Sequence, residues 1–571
     1  MTGGSAASKG RMGPRDLAAT APRALGAPAL SAGGRRADRL ALAAALALLL
    51  ALALYGSRVH WVEEAGTAER DGYVGQAQLL LSGSLPRDPY RPLLYPLLIA
   101  AVSPITGDPF AAARLLSNLA AAGLAWLAYA CGRQLAGAAA GGWAMALAAV
   151  NPNLWIIGQH VSTDMLFAAL AAASLLAGLR YLRAPGPAPA AAAGLALGLA
   201  AFTRANAVFL VPALLAAWWL APAGGAAATG EAAPAGGAGS EESHRHRRLG
   251  HLGLAAAAAA LALLPHWVLR HAQFGNAFYD ENWKNLAWKL YGYPDWSYLD
   301  RVPFRSLAAV VLHDPAAVLR GGVAELWRFA TAGAAQLLGT WAHVLLAAAG
   351  TLWAVSNRGT RRAASWLLFA LGTFVTATAF AFFTWGRLLL LLLPGAYAMA
   401  FAPWSGAVPA AASSEPRPGR MSLLGLAGRR RRLVLSGIGG AAVLLLAVKT
   451  FAYRLPAFAG GHPYVEVELL RRLDRGLPSG AALGGSSPFL GRYLRHRYVG
   501  LPDAFGPEVA QPDLYYAKVL PLLRQEGVAY LVIGPVDLRS RPRQLLGPRA
   551  PATWLAAAGG EHGVAVWKVL H

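Results

Sequence analysis

Two acids and three arginines stand out in a chain that is mostly apolar. Asp71 lies in a polar stretch, and Arg91 follows in the run Arg91-Pro92-Leu93-Leu94-Tyr95-Pro96. Asp164 comes directly after Ser162 and Thr163 and opens another apolar run. Arg204 and Arg387 each sit in a brief break between apolar stretches. A carboxylate beside a hydroxyl nucleophile can take up its proton, the general-base role. A guanidinium presents a planar fork that fits a phosphate.

Each residue type also has an ordinary use. Asp71 is one of several acids in its stretch, with Glu63, Glu64 and Glu69. Asp164 stands where a helix N-terminus favours an acid. Arg91 beside an apolar run is placed to snorkel toward lipid head groups. Arg204 and Arg387 can bind an anion, pair with Asp71 or Asp164, or face water. A later segment mixes the cations His266, Arg270, His271, Lys284 and Lys289 with Trp283, Trp288, Tyr291, Tyr293, Trp296 and Tyr298. That mixture suits an anionic, partly apolar ligand and equally suits a helix at a membrane interface.

The elements that must hold these groups are membrane helices. The 571 residues are 56% hydrophobic and only 14% charged, against about a quarter charged in soluble domains. Apolar runs long enough to span a bilayer are expected at 40–56, 110–135, 141–157, 165–182, 190–202, 207–220, 252–269, 334–355, 366–385, 388–404 and 433–451, about eleven in all. A shorter apolar run covers 93–104. The net charge is +23, but the basic clusters fall on the same side of the membrane each time: Arg35, Arg36 and Arg39; Arg180 and Arg183; Arg245, Arg247 and Arg248; Arg358, Arg361 and Arg362; Arg429 to Arg432. That agreement follows the positive-inside rule, and no nucleic-acid motif accompanies the charge, so no nucleic-acid partner is expected. The rule places the N-terminus in the cytoplasm, and Asp71, Asp164, Arg204 and Arg387 on the outer side.

The expected organisation is a disordered basic cytoplasmic tail over 1–38 and a transmembrane domain over 39–451. That domain carries an outer loop at 57–92 and an outer aromatic segment at 270–325. A small extracytoplasmic α/β domain occupies 452–571. Within it, 465–473 has helical periodicity, and the apolar runs 530–534 and 564–569 read as strands. Cys131 is the only cysteine, so neither an intrachain disulfide nor a cysteine metal site is available. No dinucleotide or P-loop glycine fingerprint, His-Glu-x-x-His or Gly-x-Ser-x-Gly elbow occurs. A soluble nucleotide site is therefore not expected.

The combination resembles the membrane-embedded glycosyltransferases of the GT-C fold, in particular the dolichyl-phosphate-mannose protein mannosyltransferases and the aminoarabinose transferases of lipid A. The likeness rests on four features: Asp71-Gly72-Tyr73 with Ala77, the Arg91 to Pro96 segment, Thr163-Asp164 at a helix start, and Arg387 ahead of Pro394. Many members carry Asp-Glu at the first of these, where this chain has Gly72.

The resemblance implies an all-α polytopic membrane enzyme of the inner (plasma) membrane. Such an enzyme moves a sugar from a polyprenyl-phosphate-linked donor to a hydroxyl of a glycolipid, glycan or protein on the outer face. It implies Asp71 as the general base or an acceptor-positioning acid and Asp164 as a second acid near the acceptor or a metal. Arg91 and Arg387, with Arg204, become donor-phosphate ligands, and Tyr73, Tyr95, His271 and Lys284 become contacts to lipid or acceptor. A divalent ion between Asp71 and Asp164 stays open. The rival class is a transporter or flippase for a lipid-linked anion, which would favour internal repeats and charges near the midplane. No clear repeat is visible, and the acids and arginines fall at span ends.

Overall fold

A computed structural model describes residues 32–58, 72–88, 90–222, 239–291, 302, 304–384, 386–407, 423–456, 463–485, 494–501, 511–533, 555–561 and 564–570. Asp71, Tyr293, Trp296, Tyr298 and most of the expected tail 1–38 lie outside them. The chain runs through α1 (Ala32–Arg58), α2 (Tyr73–Leu81), α3 (Leu94–Thr106), α4 (Pro109–Ala136), α5 (Ala138–Ala149), α6 (Pro152–Ile157), α7 (Thr163–Arg183), α8 (Pro187–Ala201) and, after a 3₁₀ turn at Ala205–Leu210, α9 (Val211–Leu220). Then follow α10 (Gly239–Phe274), α11 (Trp283–Tyr291), α12 (Leu307–His313), α13 (Pro315–Arg328), α14 (Ala334–Leu338), α15 (Trp341–Ser356), α16 (Arg361–Ala381), α17 (Leu392–Ala400) and α18 (Leu423–Val448).

Among the described residues six helices are long and apolar enough to cross a membrane, or seven counting the pair Leu307–His313 and Pro315–Leu338, bent by 98°. Five shorter apolar helices of 10–17 residues accompany them. The outer aromatic segment expected over 270–325 thus contains α11, α12 and most of α13, and the bent pair begins inside it.

Three expected spans are interrupted, each for a local reason. The run 141–157 breaks at Asn151, whose side chain accepts from Asn153 N–H and starts α6 with Pro152 in its first turn. The run 334–355 breaks at Gly339, with φ of +108°, a conformation suited to glycine. The carbonyls exposed by this break need partners in an apolar medium. Leu337 accepts from Asn151 Nδ2 at 2.9 Å, Leu338 from the Tyr397 hydroxyl at 3.0 Å, and Gly339 from Lys449 Nζ. The run 388–404 splits into a 3₁₀ turn, α17 and a second 3₁₀ turn. The first helix also starts earlier than the apolar run, because Asp38 accepts from the Tyr129 hydroxyl and pairs with Arg133.

α4 is the central helix, with 78% of its most apolar window buried, whereas α10 is peripheral at 6%. α10 nonetheless packs closely on α8. A Cβ added at Gly194 would lie 1.9 Å from the Ala255 carbonyl oxygen, and one at Gly198 would lie 2.5 Å from that of Ala259. Small residues four apart let two membrane helices approach to backbone contact. This contact brings the C-terminal end of α10 beside the turn that follows α8.

The C-terminal unit holds α19 (Pro463–Gly476), β1 (Ala482–Gly485), β2 (Arg497–Gly500), α20 (Pro512–Gln525), β3 (Val528–Ile533), β4 (Leu555–Glu561) and β5 (Val564–Val569). The sheet order is β2-β1-β3-β5-β4, with β2, β1 and β3 parallel and β5 and β4 antiparallel to their neighbours. Alternation along β3 sends Leu531 and Ile533 to a cluster with Tyr515, Val519 and Leu523 of α20, and Val532 and Tyr530 to one with Leu469 and Leu470 of α19. A strand covered on both faces reads as a continuous apolar run. Asp474 closes α19 onto β2. Although burial pushes its carboxyl upward, the backbone N–H groups of Arg495 and His496 and the His496 ring hold it below the usual range.

Candidate functional site

The site gathers at one end of the bundle, around the start of α7. Ser162 is the N-cap in extended conformation, and its hydroxyl accepts from Asp164 N–H at 3.4 Å. Asp164 therefore stands in the first helical turn, where the helix dipole favours an acid, and is only 2% exposed. One carboxylate oxygen pairs with Arg204 Nη1 from the turn after α8. The other accepts from the Ser162 hydroxyl at 3.1 Å and lies 4.0 Å from Arg387 Nε. Three residues far apart in sequence thus meet. Asp164 is both a first-turn acid and the centre of this cluster.

The electrostatics follow from the count. Among the described residues one carboxylate faces two guanidiniums, a net positive balance. Arg387, with 45% of its side chain exposed, is the more accessible of the two. A dication placed at Asp164 would meet both guanidiniums, so this cluster suits an anion better than a metal. Among the described residues no group of three His, Cys, Asp or Glu side chains could hold a metal ion.

Tyr73, in the first turn of α2, brings its hydroxyl within 3.4 Å of Thr163 Oγ1. Thr163 Oγ1 also accepts from Arg204 at 3.4 Å. Tyr73 packs edge-on against Tyr95, ring centroids 5.4 Å apart. Tyr95 is fully buried, and its hydroxyl donates to the Ala113 carbonyl at 2.9 Å and lies 3.0 Å from Ser117 Oγ. Tyr95, expected to contact lipid or acceptor, stands behind Tyr73 and supports its ring. Ser117 in turn donates to the His160 carbonyl. Burial pushes the His160 ring down to about 4, overcoming the upward pull of Asp164 and reinforced by Arg387. His160 is thus neutral beside the cluster.

Arg91 lies on a tight turn built by Asp88. Asp88 Oδ1 accepts from the backbone N–H of Tyr90 at 2.8 Å and of Arg91 at 3.0 Å, while Oδ2 accepts from Arg91 Nη1 at 3.1 Å and Gln76 Nε2 at 2.7 Å. Arg270, at the end of α10, donates to the carbonyls of Asp88 and Arg91. Leu94 N–H donates to the Phe202 carbonyl at 3.4 Å, which places this turn beside the one carrying Arg204. The loop acid that sequence reasoning missed is thus Asp88. Its signal was present, since an Asp-Pro pair favours a turn and Pro89 follows it.

The remaining expected residues separate. Lys284 is 3% exposed, donates to the Tyr90 hydroxyl at 2.8 Å and pairs with Glu281 at 2.6 Å. It is a strut between α11 and the Arg91 turn rather than an exposed ligand contact. His271 is exposed at the end of α10, one residue after buried Arg270. A second unweighed acid, Glu325 of α13, accepts from Thr384 N–H at 2.9 Å and from its hydroxyl at 3.0 Å. It thereby fixes the segment that leads to Arg387. The expected base Asp71 lies outside the described residues, two positions before α2.

The family profile described as dolichyl-phosphate-mannose-protein mannosyltransferase matches residues 90–229. That span includes Arg91, Asp164 and Arg204. No curated protein sequence matches the chain. Among solved structures, ArnT from Cupriavidus metallidurans bound to undecaprenyl phosphate is similar over 94% of this chain and 98% of its own, at 15% identity and a TM-score of 0.53. The apo state of the same protein gives 91%, 97%, 14% and 0.53. The archaeal oligosaccharyltransferase AglB from Archaeoglobus fulgidus, in complex with an inhibitory peptide and a dolichol-phosphate, gives 88%, 70%, 14% and 0.47.

Proposed function

From the premise that this chain has the GT-C fold, we propose that it is a membrane glycosyltransferase. It moves a sugar from a polyprenyl-phosphate carrier to a hydroxyl acceptor on the outer face of the inner membrane. The observation that carries the proposal is the convergence of Arg204 and Arg387 on buried Asp164, beside the Arg91 turn. A net positive, partly open cluster at the end of a helix bundle suits a phosphate head group whose chain remains in lipid.

The chemistry divides among residues as follows. The acceptor hydroxyl loses its proton to the Asp71 carboxylate as its oxygen attacks the anomeric carbon. The bond from that carbon to the phosphate oxygen breaks, and polyprenyl phosphate leaves as an anion. A phosphate leaving group needs positive charge rather than a general acid, and Arg387, Arg204 and Arg91 supply it. Asp164 holds the two guanidiniums of Arg204 and Arg387 together and keeps them oriented. A single displacement inverts the anomeric carbon. No step is routed through a metal, since among the described residues the charged partners of Asp164 are cations.

The test is sugar transfer from a labelled polyprenyl-phosphate donor by the protein in proteoliposomes. Loss of transfer in Asp71→Asn with intact folding supports the proposal, and a wild-type rate in that variant overturns the catalytic assignment.

A further inference from the structure

Asp88 gathers groups from three parts of the chain, yet sits where a surface loop acid would be expected. Only 7% of it is exposed. Oδ1 is committed to the backbone N–H groups of Tyr90 and Arg91, and Oδ2 to Arg91 Nη1 and Gln76 Nε2. An ionised carboxylate only accepts, so the nitrogen of the Gln76 amide faces it. Gln76 is 1% exposed and lies on α2, the helix that begins two residues after Asp71. From the other side Arg270, 4% exposed, donates to the carbonyls of Asp88 and Arg91 and lies over the Phe274 ring at 5.4 Å.

We propose that Asp88 is a positioning residue that ties α2 to the Arg91 turn, so that this helix and the phosphate anchor keep a fixed relation. The inference rests on the donor-phosphate role given above to Arg91. Asp88 does not itself touch substrate, since both its oxygens are occupied. It acts through Arg91, whose Nη1 it holds, and through Gln76, its link to α2. Arg270 braces the same turn against α10, so a phosphate engaging Arg91 is felt at α2 as well as at the turn.

The closing experiment uses the full-length protein in nanodiscs and undecaprenyl phosphate as the probe. Asp88→Asn keeps Oδ1 as acceptor for the two backbone N–H groups, so the turn survives. It also turns an amide NH2 toward Arg91 Nη1, a donor with no acceptor to offer, which breaks that tie and with it the link from Arg91 to α2, while the Gln76 amide can turn its oxygen to the new NH2. The double variant Asp88→Asn/Gln76→Glu places a carboxylate opposite that NH2 and near Arg91. Affinity for undecaprenyl phosphate is expected to fall by about tenfold or more in the single variant, as loss of charge-assisted hydrogen bonding implies. It should return to within about threefold of wild type in the double variant, since the lost acceptor is restored.

Hydrogen exchange adds a readout that a merely local folding role would not move. In wild type the probe protects both α2 and residues 90–93, and in Asp88→Asn it no longer protects α2. The proposal is overturned if the single variant binds as wild type does, if α2 is still protected in it, or if the double variant shows no recovery. Failure of the wild-type protein to bind the probe is a different result. It removes the donor reading itself, and the role of Asp88 with it.

Discussion

Replacing Arg387 with alanine separates a ligand-binding arginine from a structural one. Its Nε lies 4.0 Å from Asp164 Oδ2, and 45% of its side chain is exposed. Two unit charges at that distance attract by about 1 kcal/mol in water and about 4 kcal/mol at an effective dielectric of about 20. Exposure and the entropy of fixing a long side chain bring such pairs to about 0–1 kcal/mol net. Asp164 keeps Arg204 and Ser162 as partners in the variant. The melting temperature should therefore fall by less than about 2 °C. Binding should respond far more. Hydrogen bonds to a charged group are worth about 1.5–3 kcal/mol, so affinity for undecaprenyl phosphate should drop by about tenfold to a hundredfold. Arg387→Lys should fall between, because a point charge remains without the planar fork. The assay is probe binding in nanodiscs with thermal unfolding measured in parallel. Unchanged affinity would refute the phosphate role, and so would an affinity loss that merely follows a stability loss of several kcal/mol.

Two other outcomes follow from the same cluster. Transfer should proceed undiminished in excess EDTA, measured as product per unit time, because among the described residues the charged partners of Asp164 are cations; loss restored by a divalent ion would contradict this. His160 is held at about 4 by burial, below its unfolded value, so the unfolded chain binds more protons between those two values and stability rises with pH there. Thermal stability should be at its plateau above about pH 6.5 and decline from there toward pH 4, and His160→Gln should flatten that decline.

Much of the site was legible because membrane helices make polar residues conspicuous. Arg204 and Arg387 break the expected charge asymmetry of the spans, and Asp164 opens an apolar helix, so each is visible one residue at a time. Asp88 was not, because its importance lies in burial. A loop acid becomes a buried anchor only when Gln76 and the distant Arg270 close over its turn. Lys284 shows the reverse relation between sequence and burial. A lysine among aromatics reads as ligand-facing, but Tyr90 and Glu281 engage it under 3% exposure.

The fold divided in the same way. Spans followed from apolar length, whereas their breaks at Asn151 and Gly339 depend on side chains from other helices capping freed carbonyls. In the C-terminal unit the apolar runs marked β3 and β5. The strands β1 and β4 escaped notice because they are rich in glycine and alanine, residues with weak strand preference.

The most direct measurement follows the fate of a labelled polyprenyl-phosphate sugar in proteoliposomes that contain the purified protein and an extract of envelope acceptors. The account predicts that wild type releases polyprenyl phosphate and forms a glycosylated product with inverted anomeric configuration, and that Asp71→Asn does neither while remaining folded. Transfer by Asp71→Asn at the wild-type rate, or transport of the intact donor across the bilayer with no bond broken, would contradict it.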